Sequence, residues 1–392
     1  MITLFPSGDP QTDTRSLQQA VANHSHVVLE QAPGAYSSFQ INDTIRITRS
    51  GTKVSGINPW STCVIWVGES HKPMFEITGA QYVTVTNMLL QSSDWQAPRG
   101  AGAAWGIRVS QNGDVVSSFA HVENVWIQGA QNGIHIQSGV EHRLSRVQLR
   151  ALTGTKGVHI TGTVQHPQYR CIISDIVCDM GEHENRQVDW ITLDSYAYSL
   201  RIDGAALLNG RRGLIMMDSQ NVGNSYPTWV LANDLETDHT DESGVWLEAG
   251  EGFYAGESWF GSSLKGDGVT TTGAWRGDLS ITSSRIFGNV GHGVRLDAGV
   301  GASMVALTVA DNNAGAKPGQ RGHGIWVGDQ TVATQIGDCH LGDAVGVKGN
   351  NQCYGLWIQP NAQQVRYSNI THSGNTEGGI KDMRSWWTKW RT

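Results

Sequence analysis

Ten short segments of the sequence repeat one arrangement of hydrophobic and polar positions. Each has a glycine or a substitute, followed by aliphatic, variable, aliphatic and variable residues. The segments begin at residues 106, 133, 157, 190, 213, 244, 268, 293, 324 and 355. Nineteen of the twenty residues at the two aliphatic positions are aliphatic. Because side chains alternate across a strand, these positions predict two buried columns, and the positions between them predict columns that face water.

A second pattern lies between successive copies of the first. An aliphatic residue, two small or polar residues, and an aliphatic, variable, aliphatic run occur at 122–127, 144–149, 173–178, 281–286 and 336–341. The central pair predicts a tight bend, since Asn, Asp and Ser bond their own backbone there. Each repeat then has three short strands. Repeats of this length with irregular insertions are typical of a solenoid, and three strands per coil predict an all-β parallel β-helix.

The ends of the chain depart from the repeat. Residues 1–25 predict an N-terminal cap, in which Asp13 or Thr14 begins a short helix whose apolar face is Leu17, Ala20 and Val21. Residues 26–380 form the predicted β-helix. Residues 381–392 predict a C-terminal cap or tail, because Asp382 falls at an aliphatic position and Trp386, Trp387 and Trp390 follow it.

Composition narrows the class of protein. The chain has 392 residues, 48 of them glycine, with 16% charged residues and a net charge of −7. These values favour one large all-β body, and the absence of a long Lys/Arg cluster argues against nucleic-acid binding. No apolar run reaches the length of a membrane span, and the first residues lack a secretion signal, so we expect synthesis in the cytoplasm and no membrane partner. Cys171, Cys178 and Cys339 predict buried free thiols.

The first 57 residues resemble the start of the pectate-lyase-like right-handed β-helix superfamily, whose members include bacteriophage tailspikes and capsule depolymerases. The resemblance is carried by Gly8-Asp9, Asp13-Thr14, Leu17-Gln18, Val28-Leu29, Pro33-Gly34-Ala35-Tyr36, Ser50-Gly51 and Ser55-Gly56-Ile57. It implies a right-handed β-helix of about 11 or 12 coils. It also implies a homotrimer on a virion tail or outside the cell that acts on a polysaccharide.

The chain departs from the polygalacturonase family within that superfamily. Gly291-His292-Gly293 and Gly322-His323-Gly324 match its Gly-His-Gly motif, but the paired aspartates and the Arg-x-Lys of the family are not assembled here. We therefore interpret both histidines as turn residues that enter a strand.

The first outward column of the repeat carries aromatic and cationic residues in place of the usual Thr, Ser, Lys and Glu. It reads Arg108, His135, His159, Thr192, Ile215, Trp246, Thr270, Arg295, Trp326 and Trp357. Indoles pack against the C–H faces of sugar rings, and Arg and His donate hydrogen bonds to hydroxyl and carboxylate oxygens. The column predicts a glycan-binding track. Burial against another subunit is the alternative, and the two can coexist in a groove between subunits.

The second outward column contains three acids on alternate coils: Asp194, Glu248 and Asp297. Two coil steps span about 9.6 Å. Carboxylates about 6.5 to 9.5 Å apart suit inverting glycoside hydrolysis, in which one acts as acid and the other as base. Glu248 is the acid candidate, because Trp246 and apolar neighbours disfavour its ionised form. Asp194 or Asp297 would act as base.

Other acids lie near this face. Asp218 is one place beyond its column, and Glu236 lies on the strand after a bend, so both are further catalytic candidates. His239 is a candidate substrate-binding residue. With Asp238, Asp241 and Glu242 it could also hold a hard cation, although no calcium loop of fixed spacing is present.

Three functions fit these patterns. A polysaccharide hydrolase of the depolymerase kind is favoured and needs no cofactor. A polysaccharide lyase would use Arg295, Arg212 or Lys265 to neutralise a uronate, and His159, His239 or Tyr254 in proton removal, with Ca²⁺ as a candidate cofactor. A spike or adhesin would bind the glycan without cutting it.

Overall fold

The computed structural model describes residues 1–31, 38–92, 98–181, 186–221, 225–314, 321–342 and 352–385. Two compact units make up the chain, Met1–Arg201 and Ile202–Thr392. The tryptophans predicted to close the C-terminus, Trp386, Trp387 and Trp390, lie outside the described residues, as do Pro33 to Tyr36.

Both units are built from parallel strands that pair from one coil to the next. One sheet, here called the glycine-strand sheet, contains the repeated segments. In the first unit its strands are Ile45–Ile47, Phe75–Thr78, Trp105–Ser110, Asn132–Ile136, Lys156–Ile160 and Asp189–Leu193. In the second unit they are Arg212–Met216, Val245–Leu247, Val269–Thr271, Val294–Val300, Ile325–Val332, Tyr354–Ile358 and Gly378–Asp382.

The other sheet, here called the bent sheet, supplies the remaining two strand segments of each coil. Its first-unit strands are Ile2–Leu4, His26–Leu29, Ser38–Ile41, Lys53–Ser55, Cys63–Trp66, Thr84–Gln91, His121–Gln128, Gly139–Ser145, Gln148–Arg150, Gln168–Asp179 and Ala197–Leu208, the last of which contains the unit boundary. Its second-unit strands are Thr228–Asp238, Glu251–Gly256, Trp259–Gly261, Leu279–Thr282, Arg285–Phe287, Ala302–Val305, Thr308–Ala310, Gln335–Gly337, His340–Gly342, Arg366–Ser368 and Thr371–Ser373. This arrangement confirms the predicted parallel β-helix.

The two aliphatic columns form the core, as predicted. None of their twenty side chains is more than 1% exposed. They also stack in register, since Ile134 pairs with Val158 and Leu214 with Val245. A fully buried aliphatic side chain stabilises a fold by about 1.5 to 3 kcal/mol relative to an exposed one, so the columns account for much of the stability.

The predicted bend is confirmed by the backbone. The second residue of each polar pair has a left-handed conformation: Asn124, Arg146, Asp175, Ser283 and Asp338 have φ between 49° and 53°. Asn and Asp tolerate this region better than most residues. The backbone therefore turns within one residue, between two strands of the same coil.

The N-terminal helix spans Pro10–Asn23 and buries Leu17, Ala20 and Val21 as predicted. Its N-cap is Asp9, which accepts a hydrogen bond from the Thr12 N–H at 2.8 Å, so the prediction of Asp13 or Thr14 as cap was wrong. The reason is Pro10, which favours the first helical position and moves the start of the helix upstream. No helix in the described part of the chain is long and apolar enough to cross a membrane.

Three side chains of the first outward column are buried, so the expectation that this column faces water was wrong for them. Thr192 and Ile215 are at most 1% exposed and Thr270 is 2% exposed. Polar neighbours cover the threonines: Lys156 donates to Thr192 at 3.2 Å, and Thr270 donates to Asp267 at 2.8 Å. With coils about 4.8 Å apart, long side chains on one coil cover short ones on the next.

A chain of buried amides fills one corner of the second unit. The Asn289 amide donates to Asn312 at 2.9 Å, Asn312 donates to Gln352 at 3.1 Å, and Gln352 donates to Asn375 at 2.8 Å. The first three side chains are completely buried. Satisfied side-chain networks of this kind fix the stacking register in the interior.

The cysteines are unpaired. Cys171, Cys178 and Cys339 are buried free thiols, as the pattern predicts. Burial raises the pKa of Cys171 to about 12, so this thiol is unreactive.

Candidate functional site

Two outward side chains flank each glycine of the glycine strands. In Tyr354–Ile358, Tyr354 and Trp357 are partly exposed, whereas Gly355, Leu356 and Ile358 are buried. The glycine is required by close packing of the coils: a Cβ on Gly324 would lie 2.5 Å from the Gly355 carbonyl oxygen. The residue before the glycine and the residue two places after it therefore both lie on the outer face.

These two outward positions make diagonal contacts in the second unit. The residue before one glycine packs on the first outward residue of the next coil. The Arg212 guanidinium lies 4.5 Å from the Trp246 ring centre, and the His323 and Trp357 ring centres are 4.8 Å apart. His292 lies 5.9 Å from Trp326 by the same measure. The aromatic column is thus held in place by a second column that starts each strand.

The indoles of Trp326 and Trp357 lie on adjacent coils and share one acceptor. With its amide oxygen turned toward them, Gln359 accepts the indole N–H of Trp357 at 2.9 Å and that of Trp326 at 3.1 Å. Their strands pair so that Trp326 is opposite Trp357. Two indoles whose edges are fixed in this way form a preorganised apolar surface next to polar groups.

A pocket of about 430 Å³ opens beside this surface. Its wall includes Glu242, Trp246, Lys265, Asp267, His292, Arg295 and Arg321. The cations are compensated by nearby acids: Lys265 pairs with Asp241 at 2.6 Å and Arg295 with Asp297 at 3.0 Å. Arg321 lies 3.7 Å from Glu377. The pocket therefore combines an aromatic face with many hydrogen-bond donors and little uncompensated positive charge.

Glu248 and Asp297 occupy the predicted positions on this outer face. Leu247, the residue before Glu248, pairs with Thr271 on the next coil, and Thr271 pairs with Leu296, the residue before Asp297. The two acids are therefore two coils apart. The Trp246 indole N–H lies 3.4 Å from a Glu248 carboxylate oxygen, and the Arg295 Nε donates to Asp297 at 3.0 Å. Glu248 thus has a polar contact with Trp246, the residue that the sequence predicts as an apolar neighbour.

Asp194 belongs to the first unit, where it is 3% exposed. One carboxylate oxygen accepts the Ser195 N–H at 2.7 Å, and the other lies 3.1 Å from His159 Nε2. The His159 ring stacks on His135 with centres 5.1 Å apart, and His135 stacks on Trp105 at 4.7 Å. The first unit therefore has its own row of aromatic and imidazole rings, and a pairing of Asp194 with Glu248 stays a prediction.

Two further sequence candidates, Asp218 and His239, make contacts within their own segments. Asp218 accepts hydrogen bonds from the Ser225 hydroxyl at 2.6 and 2.7 Å within its own loop. His239 directly follows the strand Thr228–Asp238 of the bent sheet, and its Nδ1 lies 2.9 Å from an Asp238 carboxylate oxygen. Neither is among the residues that line the pocket.

Glu236 lies on the bent sheet and lines a different pocket of about 410 Å³, together with Asp234, Glu257, Trp259 and Arg285. Burial, followed by the charges of Asp238 and Asp234, raises its pKa. The carboxyl group is thus separated from the tryptophan column by its place in the fold, even though it is near Glu248 in sequence.

The place of three residues in the site was not predicted from sequence. His292 and His323 lie just before the strands Val294–Val300 and Ile325–Val332, which agrees with their interpretation as turn residues that enter a strand, but their rings also stack with centres 5.2 Å apart. Asp267 lines the pocket. Burial raises the pKa of its carboxyl group, and this effect outweighs the hydrogen bonds from His292 and Thr270, which lower the pKa. The signal was present as the column before each glycine, which contains Trp105, Asn132, Lys156, Asp189, Arg212, Ser243, Asp267, His292, His323 and Tyr354.

The candidate cation ligands are engaged in ion pairs. Asp238 pairs with His239, Asp241 with Lys265, and Glu242 with Arg212 at 2.6 Å. Among the residues that the structure describes, no group of three or more His, Cys, Asp or Glu side chains is placed to hold a metal ion.

Comparison with known proteins identifies the fold. No family model matches the sequence, and no curated protein matches it. Tailspike protein 3 of bacteriophage CBA120 has a similar structure, with a TM-score of 0.59 and 13% identity over 96% of this chain and 57% of the tailspike chain. The chain has the right-handed parallel β-helix fold. This is the fold of the pectate-lyase-like superfamily that the N-terminal motifs resemble.

Two further solved structures share this right-handed β-helix. The A-module of the Azotobacter vinelandii mannuronan C-5 epimerase AlgE6 has a TM-score of 0.52 and 12% identity, over 96% of this chain and 94% of its own. The catalytic domain of a GH87 α-1,3-glucanase in complex with tetrasaccharides also has a TM-score of 0.52 and 12% identity, over 98% and 69% of the two chains. At this level of identity the likeness establishes the fold alone.

Proposed function

We propose that the protein binds a polysaccharide on the glycine-strand face of Ile202–Thr392 and hydrolyses its glycosidic bonds. The observation that carries this proposal is the combination on one face of three indoles, Trp246, Trp326 and Trp357, with a pocket and with two carboxylates two coils apart. The three structural neighbours named above include a mannuronan epimerase and an α-1,3-glucanase, which supports a polysaccharide as the substrate class.

In this proposal Glu248 is the general acid and Asp297 the general base. Two coil steps place their backbones about 9.6 Å apart, which leaves room for a water molecule between the carboxyl groups and favours inversion at the anomeric carbon. Glu248 would protonate the glycosidic oxygen as the bond to the leaving sugar breaks. Asp297, oriented by Arg295, would accept a proton from the water that attacks the opposite face of the sugar.

The charge pattern favours a hydrolase over a lyase. A lyase needs a cation to neutralise the uronate carboxylate before proton abstraction. Arg212, Lys265 and Arg295, the candidates for that role, lie 2.6 Å, 2.6 Å and 3.0 Å from the carboxylates of Glu242, Asp241 and Asp297. Each cation is therefore compensated by a carboxylate of the protein.

The setting of the proposed activity is a virion tail or the cell exterior, with three copies of the chain assembled as in the phage spikes that the N-terminal motifs resemble. A homotrimer could place the tryptophan face at the border between two copies. This part of the proposal rests on the resemblance and on the tailspike neighbour.

The test is to incubate the protein with a panel of bacterial capsular, O-antigen and exopolysaccharides and to weigh the products. Hydrolysis adds one water per cleavage, whereas elimination leaves an unsaturated, ultraviolet-absorbing end. Glu248→Gln and Asp297→Asn should each lower turnover by about 10²- to 10⁴-fold while binding persists.

Asp114→Asn is the matched control, because the Asp114 side chain is fully exposed in the other unit. Unsaturated products would show that the protein is a lyase and not a hydrolase. If the wild-type protein retains a glycan without shortening it, the protein would be an adhesin. Full turnover in Glu248→Gln would remove the assignment of the acid.

A further inference from the structure

His292 is held by the backbone on two sides. It immediately precedes Gly293, just before the glycine strand Val294–Val300, and lines the pocket. Its own N–H donates to Asp267 Oδ1 at 2.7 Å. Its ring nitrogen Nδ1 accepts the backbone N–H of His323, on the next coil, at 3.0 Å. The ring position is therefore fixed by the stacking of the coils.

This geometry selects one tautomer. A backbone N–H is always a donor, so the Nδ1 that receives it carries no proton. The proton of the neutral imidazole must then be on Nε2. Within the described part of the chain, Nε2 of His292 has no hydrogen-bond partner, in contrast to Nδ1. Nε2 of His135 in the first unit also has no partner, but that atom is buried.

The surroundings keep the His292 ring neutral. Burial, followed by the charge of Arg295 on the same strand, lowers the pKa of His292 to about 3. The other groups around the ring are Asp267 on the preceding coil, His323 on the next, and Glu242, Lys265 and Arg321 on the pocket wall. The pKa of His323 is also lowered to about 3, so neither imidazole gains charge at mildly acidic pH.

We propose that His292 is a specificity-determining residue of the pocket, which donates one N–H, from Nε2, to an oxygen of the bound sugar and takes no part in proton transfer. This inference rests on the proposed function, because it assumes that a glycan enters the pocket. The complementary group is an acceptor oxygen: a hydroxyl, ring or carbonyl oxygen of a sugar or of its substituent. A sugar that presents only a C–H group at this point leaves a desolvated donor unpaired and is rejected.

Two amide variants separate the two ring nitrogens. In His292→Asn the amide can present its oxygen where Nδ1 accepts the His323 N–H, but no donor remains at the Nε2 position. In His292→Gln the amide nitrogen can reach the Nε2 position, but the His323 N–H loses its acceptor. The probes are an α-1,3-glucan tetrasaccharide and a mannuronan tetrasaccharide, titrated separately into the protein in a calorimeter.

For the probe that the wild type binds, we expect His292→Asn to weaken binding about tenfold with little change in melting temperature. We expect His292→Gln to keep an affinity within about threefold of wild type while its melting temperature falls. Wild-type affinity in His292→Asn, with the protein folded, would overturn the inference. A structural role alone would produce the opposite ranking of the two variants.

A nitrogen NMR measurement on the histidine rings tests the tautomer independently of sugar binding. Between pH 5 and 8 we expect His292 to show an unprotonated Nδ1 and a protonated Nε2 without titration, since its pKa lies near 3. A ring that gains a proton in this range, or that carries it on Nδ1, would overturn the inference even if glycan binds. If the wild type binds neither probe, the assignment of a sugar oxygen as acceptor fails and the tautomer result still stands.

Discussion

The glycine-strand faces of the two units use the same positions for different chemistry. In the first unit the outward column begins with Arg108, whose Nε donates at 2.9 Å to Glu76, a carboxylate that also accepts from Arg46 and Ser110. It continues with two histidines and ends at the buried Thr192. In the second unit the column carries three tryptophans, and each packs on the residue before the glycine of the preceding coil.

The difference shows which features the scaffold dictates and which it leaves open. The coil has buried aliphatic side chains throughout and a glycine next to the neighbouring carbonyl in nine of its ten repeats, but it places no demand on the outward positions. In the first unit the acid Glu76 is 6% exposed and its oxygens are occupied by protein donors. In the second unit, Glu248 and Asp297 are partly exposed, and Trp246 and Arg295, two residues before them, line the pocket.

The corner after the bent sheet shows a second contrast. The inward residue there is Ala130 or Leu152 in the first unit, whereas it is Thr240, Ser263, Asn289 or Asn312 in the second. The second unit therefore replaces apolar packing by a hydrogen-bonded column that includes the Ser263 N–H to Asn289 bond of 3.0 Å. We infer that this column fixes the coil register in the second unit.

The largest effect should come from removing the indoles of the second unit. We expect Trp326→Ala with Trp357→Ala to weaken retention on an immobilised polysaccharide by about 100-fold or more, because each indole supplies a large, rigid contact surface. Trp105→Ala removes an indole that stacks on His135 in the first unit and should change retention by less than about threefold. Equal losses in the two experiments would abolish the functional contrast between the units.

The next effect concerns the amide column. Asn312→Ala removes one donor to the Gln352 Oε1 and one acceptor of the Asn289 amide, so we expect a loss of about 2 to 4 kcal/mol in the free energy of unfolding. Asn289→Ala together with Asn312→Ala should cost less than the sum of the two single changes, because they share one hydrogen bond. The measurement is urea unfolding.

Leu152→Ala is the comparison for the first unit, where the same corner is apolar. It should lower stability by about 2 to 5 kcal/mol through a cavity, and its effect should add to that of Asn312→Ala. Strict additivity between Asn289 and Asn312 would show that the amides do not act as a column.

Much of the fold follows from sequence because it rests on a repeated local requirement. The aliphatic columns, the left-handed bend and the buried cysteines each recur at a fixed place in the coil, so errors at one repeat are corrected by the others. The helix start was misplaced by four residues because Asp9, Asp13 and Thr14 are all good caps and only the position of Pro10 distinguishes them.

The site was harder to predict because it depends on contacts between coils. Alternation along one strand identifies Trp246 or Glu248 as outward, but it does not show that glycine admits a second outward residue three places earlier. The ring contacts of His292 with Trp326 and of His323 with Trp357 were therefore not predicted. Thr270 is covered by Asp267 on its own coil and by Ser243 on the preceding coil. The sequence of one segment alone does not predict this burial.

The smallest effect is expected at the bend, where the two units use different residues in the same left-handed conformation. Ala306 has φ of 57° in the second unit, and Asn124 has φ of 50° in the first. Alanine is strained in this region, so Ala306→Gly should raise the free energy of unfolding by up to about 1 kcal/mol, after the entropy cost of glycine is subtracted. Asn124→Gly should lower the free energy of unfolding by a similar amount. The substitution removes the hydrogen bond that the Asn124 amide donates to Asn87 at 2.8 Å, and it relieves little strain because asparagine already tolerates the left-handed conformation. Urea midpoints that move in the same direction for both variants would show that the bend residue contributes through something other than backbone strain and this amide bond.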